Sequence, residues 1–420
     1  MNQTHEDKNI CTHCSSWLDA IKEIRNFTEA ELHVLERPEK VFTCTIPVTM
    51  DDGSVQRFNG YRVQYNTALG PAKGGLRYHQ DVDLEEAQTL AFLMSLKTSL
   101  AGLPLGGGKG GIEIDVENIS DTEKEGLTRS FTRQLQNVIG PDTDVPAPDV
   151  NTNAEVMDWI VDEYSKVSGE YTPTIVTGKS IENGGSLGRE KATSLGGAFV
   201  LRKILSEQSN KKPEEITVAV QGFGNVGKNI AEILSEWGFN VIAVSNAKGG
   251  IYNKAGLDIA SIINQGNDFS LQKDVEFISN EDLLVLDVDV LILAAISDQI
   301  TIHNMNSVRA NFILEMANAP ITQDADHSLH ARGVFVIPDI LANAGGVIVS
   351  YYEWLQNKKN EKWSEDEVNS RLETQIITAL DSVLRYSKDN TEHKNISMRY
   401  SAYITAIENI FAAEKKREWL

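Results

Sequence analysis

In the stretch Leu103-Pro104-Leu105-Gly106-Gly107-Gly108-Lys109-Gly110-Gly111, Lys109 is the one side chain able to do acid–base chemistry, and five glycines surround it. Glycines let backbone come close to a bound molecule and adopt φ > 0. A lysine shielded from water among them can have its pKa lowered enough to act as a base. The competing reading is a flexible surface turn with a solvated lysine. A phosphate-binding P-loop does not fit, because it needs Gly five residues before the Gly-Lys pair and Ser or Thr after it, and Leu103 and Gly110 stand at those places.

Other charged residues could join Lys109. Lys73 also stands beside glycines, in Gly70-Pro71-Ala72-Lys73-Gly74-Gly75-Leu76-Arg77-Tyr78-His79. Lys97 falls on the stripe Leu90, Leu93, Met94, Lys97, Leu100, whose helical spacing predicts a buried face. Alone, Lys97 could equally snorkel at the edge of a core. Three cations gathered in one place repel each other unless an anionic ligand sits among them. Asp149 is presented by the proline-stiffened loop Asp144-Val145-Pro146-Ala147-Pro148-Asp149-Val150-Asn151-Thr152. It, or Thr152, could cap the helix that follows. Beside lysines, Asp149 is also a natural proton shuttle.

The elements that must position these residues follow from the patterning. Leu18, Ile21, Ile24, Leu32 and Leu35 predict one or two amphipathic helices, and Val41–Met50 with Ser54–Asn66 predict a hairpin around Asp52-Gly53. The Lys97 helix starts at the Asp83/Glu86 pair and ends at Gly102 and Pro104. A βαβ pattern opens at Ile216–Val220, turns through Gly222-Phe223-Gly224-Asn225-Val226-Gly227 into a helix ending near Trp237, and returns as the strand Asn240–Val244. A G-x-G-x-x-G turn between strand and helix predicts a dinucleotide site, the pyrophosphate resting on the helix N-terminus. The acid that should hold the ribose hydroxyls is replaced by Ser245-Asn246, with Lys248 nearby, so both NAD and NADP are expected to be tolerated. Strands at Val288–Leu293, Phe312–Glu315 and Val334–Ile337, alternating with helices, predict a doubly wound parallel sheet. A helix opened by Ser364 and Glu367 carries Val368, Leu372, Ile376, Leu380 and Val383, and a last helix, about Ser397 to Lys415, packs back on the first domain.

The expected architecture is therefore α/β: an N-terminal α/β substrate-binding domain over 1–190, completed by a C-terminal helix at about 390–420, and a Rossmann-type dinucleotide-binding domain over 191–389. A chain of 420 residues is long enough for two cores. Its formal charge of −21 opposes binding to nucleic acid or an anionic membrane. MNQTHEDKNI lacks the apolar core of a signal peptide, no apolar run reaches membrane-spanning length, and Cys11, Cys14 and Cys44 build no disulfide framework, so a cytoplasmic protein is expected. Cys11-Thr12-His13-Cys14 has half of a zinc spacing without a second ligand pair, and no metal is expected.

The motifs AKGGLRYH, Met94-x-x-Lys97, LPLGGGKGG, DVPAPDVNTN, GFGNVG and PDILANAGGVIVSYYEW, in this order, resemble the glutamate dehydrogenases of the family that also contains leucine, phenylalanine and valine dehydrogenases. The resemblance spans nearly the whole chain. It implies reversible NAD- or NADP-dependent oxidative deamination of L-glutamate to 2-oxoglutarate and ammonia, in a homohexamer. It further implies substrate binding by Lys73, Met94, Lys97 and Ser350 and catalysis by Lys109 with Asp149. Coenzyme contacts are implied for Thr193, Gly222, Gly224, Asn225, Val226, Gly227, Asn246 and Asn343. Leucine-type relatives carry apolar residues at the places of Lys73 and Ser350. Departures from the family pattern include Lys191 for Glu, Ser194 for Gly, Val116 for Pro, Met316 for Gly or Ala and Asn246 for Asp. Because they gather on the coenzyme side, a catalytically weak regulatory subunit of a mixed hexamer is the alternative, and a leucine- or phenylalanine-type dehydrogenase is another.

Overall fold

The computed structural model describes residues 18, 19, 21, 22, 24–389 and 396–419, so the Cys11/Cys14 pair lies outside the described residues. The expected N-terminal helical region breaks before helix α1 (Glu29–Glu36), because Thr28 and Glu31 close a capping box there. The hairpin β1 (Lys40–Thr49) and β2 (Val55–Asn66) is antiparallel and turns at Gly53, whose φ is 82°. It is followed by β3 (Ala72–His79), α2 (Leu84–Leu100), β4 (Gly107–Glu113), α3 (Asp121–Leu135), β5 (Asp144–Pro148) and α4 (Ala154–Ser168). The five strands form one mixed sheet in the order β1-β2-β4-β3-β5.

Two expected loops are thus strands. The glycines around Lys109 form β4, in the interior of the sheet, and none of them has a positive φ. They are needed for close approach: a Cβ on Gly74 would lie 1.5 Å from the Gly108 carbonyl oxygen, and one on Gly110 would lie 2.4 Å from that of Tyr61. The proline-stiffened segment is β5, an edge strand, where Pro146 and Pro148 cost no ladder hydrogen bond.

Strand period then sorts the sheet's faces. Leu76, Tyr78 and Ile112 join Leu127, Phe131, Val156 and Ile160 in the core under α3 and α4. By alternation Lys73, Gly75 and Arg77 of β3, and Gly107, Lys109 and Gly111 of β4, take the opposite face. Helix α2 covers that face, and here the expected burial is corrected. Its buried residues include Ala87, Ala91, Phe92, Ser95, Leu96 and Thr98, whereas Leu90, Leu93, Met94 and Lys97 are half-buried. A Cβ on Gly107 would lie 2.0 Å from Ser95 Oγ and 2.5 Å from the Ala91 carbonyl, so small residues of the helix face β4 there, and of the expected stripe Leu100 alone is buried.

The second unit begins with α5 (Ala192–Gln208), then β6 (Thr217–Gln221), α6 (Asn225–Glu236), β7 (Asn240–Asn246), β8 (Gly249–Tyr252), α7 (Ile259–Asn264), β9 (Glu276–Ile278), α8 (Asn280–Leu284), β10 (Val290–Leu293), β11 (Phe312–Glu315), α9 (Gln323–Ala331), β12 (Phe335–Ile337) and α10 (Asp339–Ala342). The sheet runs β12-β11-β10-β6-β7-β8-β9. Strands β12 to β7 in that order are parallel, and the chain order reverses between β10 and β6, the place where a doubly wound sheet binds ligands. Strands β8 and β9 are antiparallel and were not foreseen: the chain turns back at Gly249, φ 131°.

Three helices close the chain: α11 (Gly345–Lys359), α12 (Glu365–Asp389) and α13 (Met398–Lys416). The first compact unit comprises the described residues up to Arg189, Ile348–Val368 and those from Ala406 on, and the second comprises Glu190–Val347 and Asn369–Thr405. These units are divided at other places than the expected boundary at 389. Glu353 of α11 is bound to Lys179 (2.6 Å), and Gln356 and Trp354 donate to Ser186 Oγ and the Pro141 carbonyl (both 3.0 Å), which holds that segment in the first unit. Arg399 of α13 donates to Asp326 at 2.9 Å, which holds residues before Ala406 in the second. Among the described residues no helix is long and apolar enough to cross a membrane.

Candidate active site

The first unit brings Lys109 and Asp149 together. Lys109 Nζ donates to Asp149 Oδ2 at 2.5 Å, and Arg77 Nε donates to Asp149 Oδ1 at 2.8 Å. The reason is local: the two basic residues share one sheet face, and a Cβ on Gly75 between them would lie 2.7 Å from Asp149 Cβ. Asp149 does not cap the next helix, a task taken by Asn153. Instead Thr152 Oγ1 accepts the Asp149 N–H at 2.7 Å and donates to the Leu76 carbonyl at 2.8 Å, pinning Asp149 over β3.

Burial lowers the pKa of Lys109; Asp149 opposes that shift and Arg77 adds to it. The depressing cation is thus Arg77, to which the sequence assigned no role. For Asp149 burial acts to raise the pKa, but Lys109 and Arg77 outweigh it and hold the carboxyl below the usual aspartate range. At neutral pH Asp149 is a carboxylate that accepts hydrogen bonds from both, and of the two only Lys109 can release a proton to it.

Lys73 is 1% exposed and occupies the same sheet face as Lys109. Its pKa is driven down by burial and then by Arg62 and Arg189, with Glu353 and Asp144 pulling the other way. Arg62 is committed elsewhere, in a fully buried pair with Asp144. Arg189 is another residue the sequence did not flag. Its Nε donates to Ser350 Oγ at 3.0 Å, a contact between residues 161 apart for which no local pattern exists. Burial lowers the pKa of Arg189, and Glu353 acts against that shift. The charge of Arg189 thus acts on the buried Lys73 ammonium, and Arg189 is itself bonded to the Ser350 hydroxyl. Lys97 and Met94 lie half-buried on α2.

In the second unit Gly222 has φ 90°, and a Cβ there would lie 2.7 Å from Ala294 backbone; one on Gly227 would lie 1.7 Å from the Gly222 carbonyl oxygen. Gly224, by contrast, faces open space and caps α6 with no side-chain hydrogen bond. Asn225 is exposed and Val226 half-buried at the same helix start. The turn is tight where it packs on itself and open at the helix's free amides, a shape that suits a pyrophosphate. Asn343, which caps α10, points its Nδ2 at the Asn318 Oδ1 (3.3 Å), and its Oδ1 is buried with no partner, as an acceptor awaiting a ligand donor would be. Thr193 is half-buried in the first turn of α5.

Three departures from the family pattern find partners within the second unit. Lys191 pairs with Glu232 at 2.6 Å, Ser194 Oγ donates to the Val226 carbonyl at 2.8 Å, and Met316 lies in the notch at Gly197, where a Cβ would meet its sulfur at 2.4 Å. Asn246 ends β7 and its Oδ1 accepts the Lys248 N–H at 2.8 Å. A cavity of about 630 Å³ opens there, lined by Asn246, Lys248, Gly250, Asp268 and Ser270 among others. Asp268 is an acid the sequence reading missed. Hydrogen bonds from Ser270 lower its pKa, and Lys248 adds to this.

Comparison with known proteins adds family and relatives. The family model described as Glutamate/Leucine/Phenylalanine/Valine dehydrogenase matches residues 184–418, and that for the Glu/Leu/Phe/Val dehydrogenase dimerisation domain matches 38–166. The chain is 47% identical to the glutamate dehydrogenase of Thermotoga maritima over 91% of this chain and 92% of that one. It is 39% identical to the NAD-specific glutamate dehydrogenase of Staphylococcus aureus over 99% of each. The hetero-hexameric glutamate dehydrogenase of Thermus thermophilus, in its Leu-bound form, superposes with a TM-score of 0.90 at 34% identity, covering 99% of both chains.

Proposed function

We propose, from the premise that this chain belongs to the glutamate, leucine, phenylalanine and valine dehydrogenase family, that it catalyses the reversible oxidative deamination of L-glutamate to 2-oxoglutarate and ammonia with NAD or NADP. The observation that carries the choice of a dicarboxylate is the buried Lys73, whose charge is opposed by Arg62 and by the Arg189 that is bonded to Ser350. Lys73, Arg189 and Ser350 hold the side-chain carboxylate. Lys97, with Met94 next to it on α2, receives the α-carboxylate. The coenzyme, held at Gly222, Gly224, Asn225, Val226 and Gly227 with Thr193, Asn246 and Asn343 around it, supplies or accepts the hydride. Lys109, its ammonium destabilised by burial, deprotonates the attacking water and later holds the carbonyl oxygen. Asp149 takes the proton onward and fixes the lysine's position, while Arg77 keeps Asp149 ionised.

The chain is further proposed to act in the cytoplasm as a homohexamer. The test is direct: the purified chain is given 2-oxoglutarate and ammonia, and NADH or NADPH absorbance is followed. Turnover is expected. Intact 2-oxoglutarate binding without turnover would make the chain the regulatory subunit of a mixed hexamer, and a monomeric sedimentation coefficient would refute the assembly.

The 630 Å³ cavity also bears on coenzyme choice. Lys248 would attract the 2′-phosphate of NADP and Asp268 would repel it, so neither coenzyme is excluded. Asp268→Asn is expected to raise kcat/KM for NADP relative to NAD by roughly twofold to fivefold, the scale of one exposed charge. Lys248→Ala should shift the ratio the other way. Ratios unmoved in both variants, or a wild-type preference for NAD above about a thousandfold, would show that the ribose lies elsewhere.

A further inference from the structure

A buried charge cluster in the second unit takes no part in the chemistry above. Arg399 is 1% exposed; its Nε donates to Asp326 at 2.9 Å and its Nη2 to Glu315 at 2.5 Å, and Asp339 lies 3.8 Å from Nη1. One cation thus faces three acids. Burial pushes Glu315 up to about 7 against the pull of Arg399, with Asp339 and Asp326 adding to the rise.

The cluster is anchored at one end and reaches toward the coenzyme turn at the other. Glu315 Oε2 accepts the Asp339 N–H at 2.9 Å, and Asp339 Oδ2 in turn accepts the Ala319 N–H at 2.9 Å. Ala319 has φ 45°, a left-handed conformation that a residue with a Cβ adopts only when held in it. Its carbonyl accepts from Asp298 N–H at 3.1 Å, and the Pro320 carbonyl accepts from Gln299 N–H at 2.7 Å. Gln299 Oε1 then accepts from Gln221 Nε2 at 2.7 Å, and Gln221 immediately precedes Gly222. Asn343 Nδ2 faces the Met316 and Ala317 carbonyls, 3.4 and 3.5 Å away, from the other side of the same loop. All of these loops stand at the C-terminal ends of β6, β10 and β11, where a parallel sheet binds a dinucleotide. A cluster serving only to fasten helices together has no need to hold an alanine in the left-handed region.

We propose that Asp339, held by Arg399 and Glu315, is a positioning residue for coenzyme binding: it keeps the Met316–Pro320 loop in its binding-competent shape by restraining Ala319. The proposal rests on the reading that this unit binds NAD or NADP. Loss of the restraint lets Ala319 relax to negative φ, so the competent fraction of the chain falls and the apparent Kd rises in inverse proportion.

The test measures NADH and NADPH binding to the full chain by nicotinamide fluorescence, with the KM for 2-oxoglutarate and the melting temperature alongside. Asp339→Ala should weaken NADH binding by about tenfold, the result of a competent fraction near one tenth, and leave the KM for 2-oxoglutarate within about twofold. Ala319→Val, which leaves the charge cluster whole, should also weaken NADH binding, because a branched Cβ opposes positive φ more strongly. Adding Ala319→Gly to Asp339→Ala should recover several-fold of the lost affinity, since glycine adopts the left-handed conformation freely. NADH affinity within twofold of wild type in both Asp339→Ala and Ala319→Val overturns the proposal, as does a double variant that recovers nothing. Wild type that binds neither NADH nor NADPH overturns the coenzyme reading, and this proposal with it.

Discussion

Lys109→Ala should lower kcat by about 10² to 10⁴, the usual contribution of a positioned general acid–base group, with little change in coenzyme affinity. The site gives the lysine no substitute. Its partner Asp149 is held ionised, and the other nearby base, Arg77, is always charged. Lys109→Arg should fail equally, because guanidinium does not release its proton at working pH. Substantial turnover in either variant would reduce Lys109 to a structural strand residue.

The pH profile gives a sharper version of the same test. Burial lowers the pKa of Lys109, and Asp149 is the main group raising it again. For deamination the lysine must be uncharged, so kcat/KM should rise with pH to a plateau whose midpoint lies below the ordinary lysine value of about 10.4. Asp149→Asn removes the carboxylate that favours the ammonium, so the rising limb should move to lower pH while the plateau falls. A limb shifted to higher pH would contradict the electrostatic assignment.

Regular elements with strong patterning were legible in the sequence. The stripe Leu372, Ile376, Leu380 and Val383 on α12 is fully buried, the βαβ turn folds around Gly222 and Gly227, and the hairpin turns at Gly53. Glycine and proline misled where they usually signal loops. In β4 the glycines serve the approach of neighbouring strands, and in β5 the prolines are tolerated because the strand is an edge, and both facts depend on partners far away in the chain. The α2 stripe misled for a related reason: the closeness of Ser95 to Gly107 turns the small-residue side inward. Lys109 and Asp149 were named from their own motifs, but Arg77 becomes visible only once β3 is known to be a strand, whose alternation aligns it with Lys73 and Gly75. Arg189, Asp268 and the Arg399 cluster depend on tertiary contacts with no sequence period.

Wild type should prefer glutamate over leucine by more than about a hundredfold in kcat/KM, and Lys73 with Ser350 should account for most of it. Lys73 is 1% exposed, and its ammonium is disfavoured by burial and by the charges of Arg62 and Arg189. A side-chain carboxylate would offset this: it adds a counter-charge to those of Glu353 and Asp144 and offers acceptors to the ammonium, the guanidinium and the Ser350 hydroxyl. An isobutyl group does none of these and would leave the buried Lys73 ammonium without a bound carboxylate, which typically costs several kcal/mol. The double substitution Lys73→Leu with Ser350→Val replaces that polar corner by an apolar wall. It should depress glutamate activity far more than leucine activity and can raise the latter. Arg189 limits how far the exchange goes, because its guanidinium loses the Ser350 Oγ partner and stays in place. Removing it as well, in Lys73→Leu with Ser350→Val and Arg189→Met, should raise the leucine-to-glutamate ratio further than the double change. If wild type oxidised leucine as readily as glutamate, or if Lys73→Leu left the KM for glutamate unaltered, this pocket would not be where the side-chain carboxylate binds, even with the dehydrogenase chemistry at Lys109 intact.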